Sequence, residues 1–153
     1  MALEGTARNL ATLTQIMSHS ATILIVEDEV FVALDVERAL IDAGYSVAGI
    51  AMDLSEALSM GEGCNLALVD INLRDGRTGP QIAADLYAKY AVRSVFVTAN
   101  PAQIGVPPTG ALGYVCKPFN PAMLHAAVQW ALADGHSRPD NDAVVPLMRV
   151  SDH

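Results

Sequence analysis

Four apolar runs in this chain end in groups that can do chemistry. Thr22-Ile23-Leu24-Ile25-Val26 stops at Glu27-Asp28-Glu29, and Leu66-Ala67-Leu68-Val69 stops at Asp70, with Ile71 and Asn72 beyond it. Ser94-Val95-Phe96-Val97 closes on Thr98, and the run from Gly113 to Cys116 is followed by Lys117-Pro118. Short apolar, β-branched runs bounded by turn formers read as buried strands. A carboxylate can attack phosphorus and form an acyl phosphate. The transferred phosphoryl group spreads its charge over its equatorial oxygens, so catalysis there is largely positioning and electrostatics. An aspartate, further acids, an ammonium and a hydroxyl are the parts such a transfer needs. Asp70 is the expected phosphate acceptor.

Three converging carboxylates would raise one another's pKa unless a cation lies between them. Mg²⁺ suits such a site, because it takes one or two carboxylates and keeps waters that phosphate oxygens can replace. Glu27, Asp28 and Asp70 are the expected ligands, with the backbone carbonyl of Asn72 a further one. Lys117 can cover a second phosphoryl oxygen and the Thr98 hydroxyl can donate to a third. Each group also has an ordinary reading. An acidic triplet suits a solvated helix start, and a lysine after a strand often snorkels to solvent. Their joint occurrence at successive strand ends favours the site.

The elements between these runs must bring them together. Residues 30–43 carry Val30, Ala33, Leu34, Val36, Leu40 and Ile41 among polar residues, which predicts a helix closed by Gly44. Ser46 to Ala51 reads as a second strand, and Asp53 can cap a helix over 54–60 that Gly61 and Gly63 end. The polar loop 72–79 leads to Pro80, suited to a first helical position, and to a helix over 80–90. Pro101, Gly105, Pro107, Pro108 and Gly110 leave room for at most one or two helical turns before the fifth strand. A last, strongly apolar helix is expected over 121–133, carrying Val128 and Trp130. Alternating strands and helices imply βαβ units and a mainly parallel sheet. Right-handed crossovers then gather the strands' carboxyl ends on one rim, where open α/β sheets bind ligands.

Composition limits the alternatives. The chain has 153 residues, 52% of them hydrophobic and 17% charged, enough for one core. Its net charge of −8 and scattered basic residues argue against a nucleic-acid surface. No apolar run reaches the roughly 18 residues of a spanning helix, and no secretory leader is evident. Cys64 and Cys116 fit no metal spacing and are expected as reduced thiols of a cytoplasmic protein, with Cys116 in the core. Residues 1–20 form an N-terminal extension in which Leu10, Leu13, Ile16 and Met17 allow a short amphipathic helix. Residues 21–136 are the expected domain and 137–153 a polar tail with a small apolar patch at Val144, Val145, Leu147 and Met148. His19, His125, His136 and His153 suggest no role.

The motifs Ile25-Val26-Glu27-Asp28-Glu29, Leu68-Val69-Asp70-Ile71-Asn72, Val97-Thr98-Ala99 and Lys117-Pro118-Phe119 together resemble the receiver domain of two-component response regulators. The resemblance runs from about Thr22 to Gly135. It implies a flavodoxin-like, doubly wound sheet of five parallel strands in the order 2-1-3-4-5. It further implies phosphorylation of Asp70 by a phosphohistidine on a sensor histidine kinase or phosphotransfer protein, with Mg²⁺ on Glu27 and Asp28. Thr98 would be the switch hydroxyl, Lys117 the phosphoryl contact and Tyr114 the aromatic switch. Phosphorylation adds charge and acceptors at one point, toward which Thr98 would move, vacating space for Tyr114.

The sequence departs from the family pattern at three places. Arg74 stands where proline is common, the loop to Gly79 looks about one residue longer than usual, and Lys117 follows Thr98 by only 19 positions. The helix between the fourth and fifth strands is therefore expected to be truncated or irregular. With 18 residues after Gly135, the expectation is a stand-alone receiver that signals by protein contact, with a possible homodimer or kinase-docking surface on the last helix around Val128 and Trp130, although core packing is the ordinary reading for most of that helix. Two rivals remain. A magnesium phosphohydrolase of the haloacid dehalogenase type would need a second aspartate where Asn72 stands. A binding module of the same fold would take no phosphate.

Overall fold

Strand β1 (Thr22–Val26) and strand β3 (Leu66–Val69) lie at the centre of the sheet and are almost wholly buried. That is why their sequences are continuously apolar rather than alternating. The computed structural model describes residues 21–139 and 142–147. Between and after these strands come helix α1 (Val30–Asp42), β2 (Ser46–Ala51), α2 (Leu54–Met60), α3 (Gly79–Tyr90), β4 (Arg93–Thr98), β5 (Ala111–Cys116) and α4 (Pro121–Ala133). The strand order is β2-β1-β3-β4-β5, all parallel, as the alternation and the resemblance imply. A two-residue sixth strand, β6 (Val145–Pro146), pairs antiparallel with β5.

Successive strand residues face opposite sides, and two cores result. Ile23, Ile25, Leu68, Val95, Val97 and Val115 face α1 and α4. Leu24, Val26, Ala67, Val69 and Phe96 face α2 and α3. Local signals set the helix ends. Gly44, at φ 95°, donates its N–H to Ile41 O at 2.9 Å, a left-handed closure that glycine adopts without strain. Asp53 caps α2 by accepting the Glu56 N–H at 2.9 Å, and Asn120 caps α4 by accepting that of Met123 at 2.8 Å.

Between β4 and β5 there is one turn of 3-10 helix, Pro101–Ile104, in agreement with the proline and glycine content of that stretch. Three sequence expectations are corrected. Cys116 is exposed rather than core, at the very end of β5. Val128 and Trp130 on α4 are buried in the first core, so they offer no dimer or docking surface. The apolar patch in the expected tail is partly structured, with Val144 buried against the first core. The proposed helix around Leu10, Leu13, Ile16 and Met17, and also Met148, His19 and His153, lie outside the described residues. No helix among the described residues is long and apolar enough to cross a membrane.

Candidate phosphoacceptor site

Asp70 follows β3 directly and is 9% exposed. Its N–H continues the ladder to Val26 O at 2.9 Å, while its Oδ1 accepts the Ile71 N–H at 2.7 Å and its Oδ2 accepts Lys117 Nζ at 2.9 Å. Behind Asp70, Gly79 opens α3 and donates to Ile71 O at 3.0 Å. A Cβ at Gly79 would stand 2.5 Å from Ile71 Cα and closer still to Asp70 O. Only a residue without a side chain lets the helix start this near Asp70.

Glu27 is almost fully buried at the end of β1, where its N–H reaches Ala51 O at 2.9 Å. Its Oε1 lies 2.6 Å from Lys117 Nζ and its Oε2 accepts the Asp28 N–H at 3.1 Å. Lys117 also lies 3.5 Å from Glu29 Oε2. Carboxylate oxygens of Glu27, Asp28 and Asp70 all fall within 4.8 Å of one another. Burial, reinforced by the neighbouring Asp70 carboxyl and opposed by Lys117, pushes Glu27 up to about 7. Burial also works against the charge on Lys117, but Glu27 and Asp70 outweigh it and hold the ammonium above its ordinary pKa. A crowded, oxygen-only set with an acid strained toward protonation is what a hard divalent cation relieves. The donor set therefore fits Mg²⁺.

Thr98 ends β4 and is 1% exposed. Its Oγ1 accepts the Asn100 N–H at 3.0 Å, which leaves the hydroxyl proton available for donation, and its carbonyl accepts the Lys117 N–H at 2.9 Å. Asp28, Glu29, Asp70, Asn72, Thr98 and Lys117 line a single open cleft of about 220 Å³, together with Ala99 and Asn100. Glu27 reaches it through Lys117. Tyr114, half-buried, does not line the cleft. It stands opposite Phe96 on β5, one step back from Thr98 on the same face.

Several contacts escaped sequence reasoning. Glu29 pairs with Lys117, although its place in the acidic triplet signalled it. Asn72 Nδ2 donates to Gln103 Oε1 at 2.7 Å, linking the loop after the acceptor to the 3-10 turn. Arg74 grips Asp53 at 2.6 Å and Glu56 at 2.5 Å, and Asp75 accepts the Leu54 N–H at 3.1 Å. These pin the loop after Asp70 to the start of α2. No local pattern foretells contacts between segments about twenty or thirty residues apart.

Comparison with known proteins agrees with this geometry. Residues 23–129 match the family model described as the response regulator receiver domain. Over 115 residues the chain is 36% identical to the phyllosphere-induced regulator PhyR of Methylorubrum extorquens, covering 72% of this chain and 43% of that protein. It is 29% identical over 116 residues to the transcriptional regulatory protein PdtaR of Mycobacterium tuberculosis, covering 72% of this chain and 56% of that one. The chain thus spans about half the length of these curated relatives. The solution structure of the PhyR receiver domain from Erythrobacter litoralis superposes with a TM-score of 0.68 at 29% identity, covering 78% of this chain and 95% of that domain.

Proposed function

The chain belongs to the response regulator receiver family, and from that premise we propose that it is phosphorylated on Asp70 by a phosphohistidine protein. The observation that carries the reading is the Asp70 carboxylate, bound to Lys117 at 2.9 Å and open to a cleft with two further acids and a buried hydroxyl.

In the transfer, an Asp70 carboxylate oxygen attacks the phosphorus of the phosphohistidine. The P–O bond forms as the P–N bond breaks, and the imidazole leaves with the bonding pair and takes a proton from water. Lys117 moves its charge from the carboxylate to a phosphoryl oxygen, a short shift because it already bridges Asp70 and Glu27. Thr98 donates its hydroxyl proton to another oxygen. Glu27, Asp28 and Asp70, with the Asn72 carbonyl, would hold Mg²⁺, which would supply the remaining countercharge. As Thr98 turns toward the phosphoryl group, Tyr114 follows into the space on the same face of the sheet.

A phosphodonor must reach the rim, and α1 offers the surface. Val30, Phe31 and Leu34 on its outer side are exposed, Phe31 by 84%. They lie beside the acidic cluster, and a partner helix covering them would bring its histidine to the cleft. The exposed apolar side of α1 supports a partner surface there. The name PhyR belongs to a regulator and PdtaR to a transcriptional regulator, in keeping with a signalling role exercised through protein contact.

Incubation with acetyl phosphate and Mg²⁺, followed by intact mass measurement, tests the reading. One phosphoryl group is expected on the wild-type chain and none on Asp70→Asn. Absence of label on the wild type would refute the proposal, and rapid turnover of phosphate esters would replace it with a hydrolase.

A further inference from the structure

The outer edge of β5 would be bare in a five-stranded sheet, and a bare edge invites foreign strands. Here the chain returns along it. Gly113 pairs with Pro146, Tyr114 pairs with Val145, and the Leu147 N–H donates to Leu112 O at 3.0 Å. Val144 is 3% exposed in the first core, whereas Leu147 packs on the second. The segment therefore clasps the sheet from both faces. Gly113 permits its approach, since a Cβ there would stand 2.6 Å from Val145 O. The return path is tied down where Trp130 Nε1 donates to Ser137 O at 2.7 Å.

This clasp abuts the residues that would respond to phosphorylation. Val69, Phe96, Tyr114 and Val145 form one row across four neighbouring strands. Thr98 lies one step nearer the rim on the same face of β4 as Phe96. The stretch before β5 has only one turn of 3-10 helix, and Leu147 supplies apolar cover on the core that holds Phe96, Ile104 and the body of Tyr114.

We propose that residues 143–147 form a strap whose hold on β5 depends on the position of Tyr114, and that phosphorylation of Asp70 releases it. This rests on the phosphoacceptor reading above. β6 is two residues long, and Pro146 has no N–H to give to the ladder. The Val144 and Leu147 side chains and a few backbone bonds help to hold the strap, and so short an edge element opens more readily than the central strands. When Tyr114 swings toward Thr98, Val145 loses the aromatic ring paired with it across the strands and the cover over Leu147 is disturbed. Release leaves the backbone of β5 from Leu112 to Tyr114 open for a partner.

Hydrogen exchange read by mass spectrometry on the full chain tests this, with phosphorylation measured by intact mass in the same samples. The amides of 143–147 are expected to exchange roughly tenfold faster in the phosphorylated protein, as for a local opening that has lost part of its packing. Acetyl phosphate should change nothing in Asp70→Asn. In Tyr114→Ala, Asp70 should still gain its phosphoryl group while exchange in the strap is fast with or without it. If Asp70 is phosphorylated and exchange at 143–147 stays the same or slows, the strap is refuted and the phosphoacceptor reading stands. If Asp70 gains no phosphoryl group, both are overturned.

Discussion

Replacing Gly79 by alanine tests whether the acceptor is held by close packing of helix against strand. The new methyl would lie 2.5 Å from Ile71 Cα and nearer still to Asp70 O, where ordinary contact begins near 3.4 Å. About 1 Å of backbone movement is needed, and both atoms struck are backbone, so no rotamer change relieves the clash. One escape withdraws the start of α3 and breaks the Gly79 N–H bond to Ile71 O, 3.0 Å in the native structure. The other displaces Asp70 against its ladder bond to Val26 and its contact with Lys117. Overpacking of this kind costs about 1–3 kcal/mol. An acceptor misplaced by about 1 Å loses up to roughly a hundredfold in transfer rate. Urea unfolding gives the first quantity and the initial rate of acetyl phosphate labelling gives the second. Gly49→Ala is the control, because its Cβ would meet only the flexible Met60 Sδ at 2.9 Å. It should keep the native labelling rate and lose less than about 1 kcal/mol. A Gly79→Ala protein with native midpoint and native labelling rate would refute the reasoning.

Mg²⁺ should raise the unfolding midpoint by binding the native state alone, by about 2.7 kcal/mol at a hundredfold excess over its dissociation constant. Asp28→Asn should lose most of that gain, and chelation should slow labelling of the wild type; equal Mg²⁺ stabilisation of both proteins would remove the acidic cluster as the site. Asp53 makes a pH prediction. The Glu56 backbone N–H, with Arg74 beside it, holds the Asp53 carboxyl below its ordinary range. A depressed folded pKa stabilises at neutral pH, and that contribution fades as pH falls through it. Asp53→Asn keeps the cap acceptor and removes the charge, so its midpoint should fall less steeply than the wild type's below about pH 4; parallel acid limbs would contradict this.

The site was more legible than the elements that cover it. A parallel sheet buries both faces of its central strands, so Ile23 to Val26 and Leu66 to Val69 announce themselves as unbroken apolar runs. The first polar residue after each run must then fall on the shared rim, which is how Glu27, Asp70 and Thr98 could be grouped without coordinates. Which side of a helix faces inward was harder. α4 is apolar nearly all round, so its pattern allowed both core packing and an outward surface, and Trp130 and Val128 take the first. On α1 the same ambiguity ran the other way, with Phe31 exposed on a helix whose Ala33, Val36 and Leu40 are buried. β6 has two residues, one of them proline, and its partner lies some thirty positions earlier, so neither periodicity nor a hairpin turn could signal it.

That difference separates chemistry from readout in this molecule. The groups around Asp70 are fixed by where strands end, and strand ends are insensitive to what packs over the sheet. The short stretch between β4 and β5 can therefore lose nearly all its helix while Lys117 still lies 2.9 Å from Asp70 and Thr98 is still buried beside the cleft. A change at Tyr114, by contrast, is felt by whatever lies against it. With one 3-10 turn on one side and β6 on the other, the element opposite Tyr114 is the chain's own C-terminal strand. On the proposed reading, the chemistry at Asp70 needs only the strand ends, and its readout falls to the segment paired with β5.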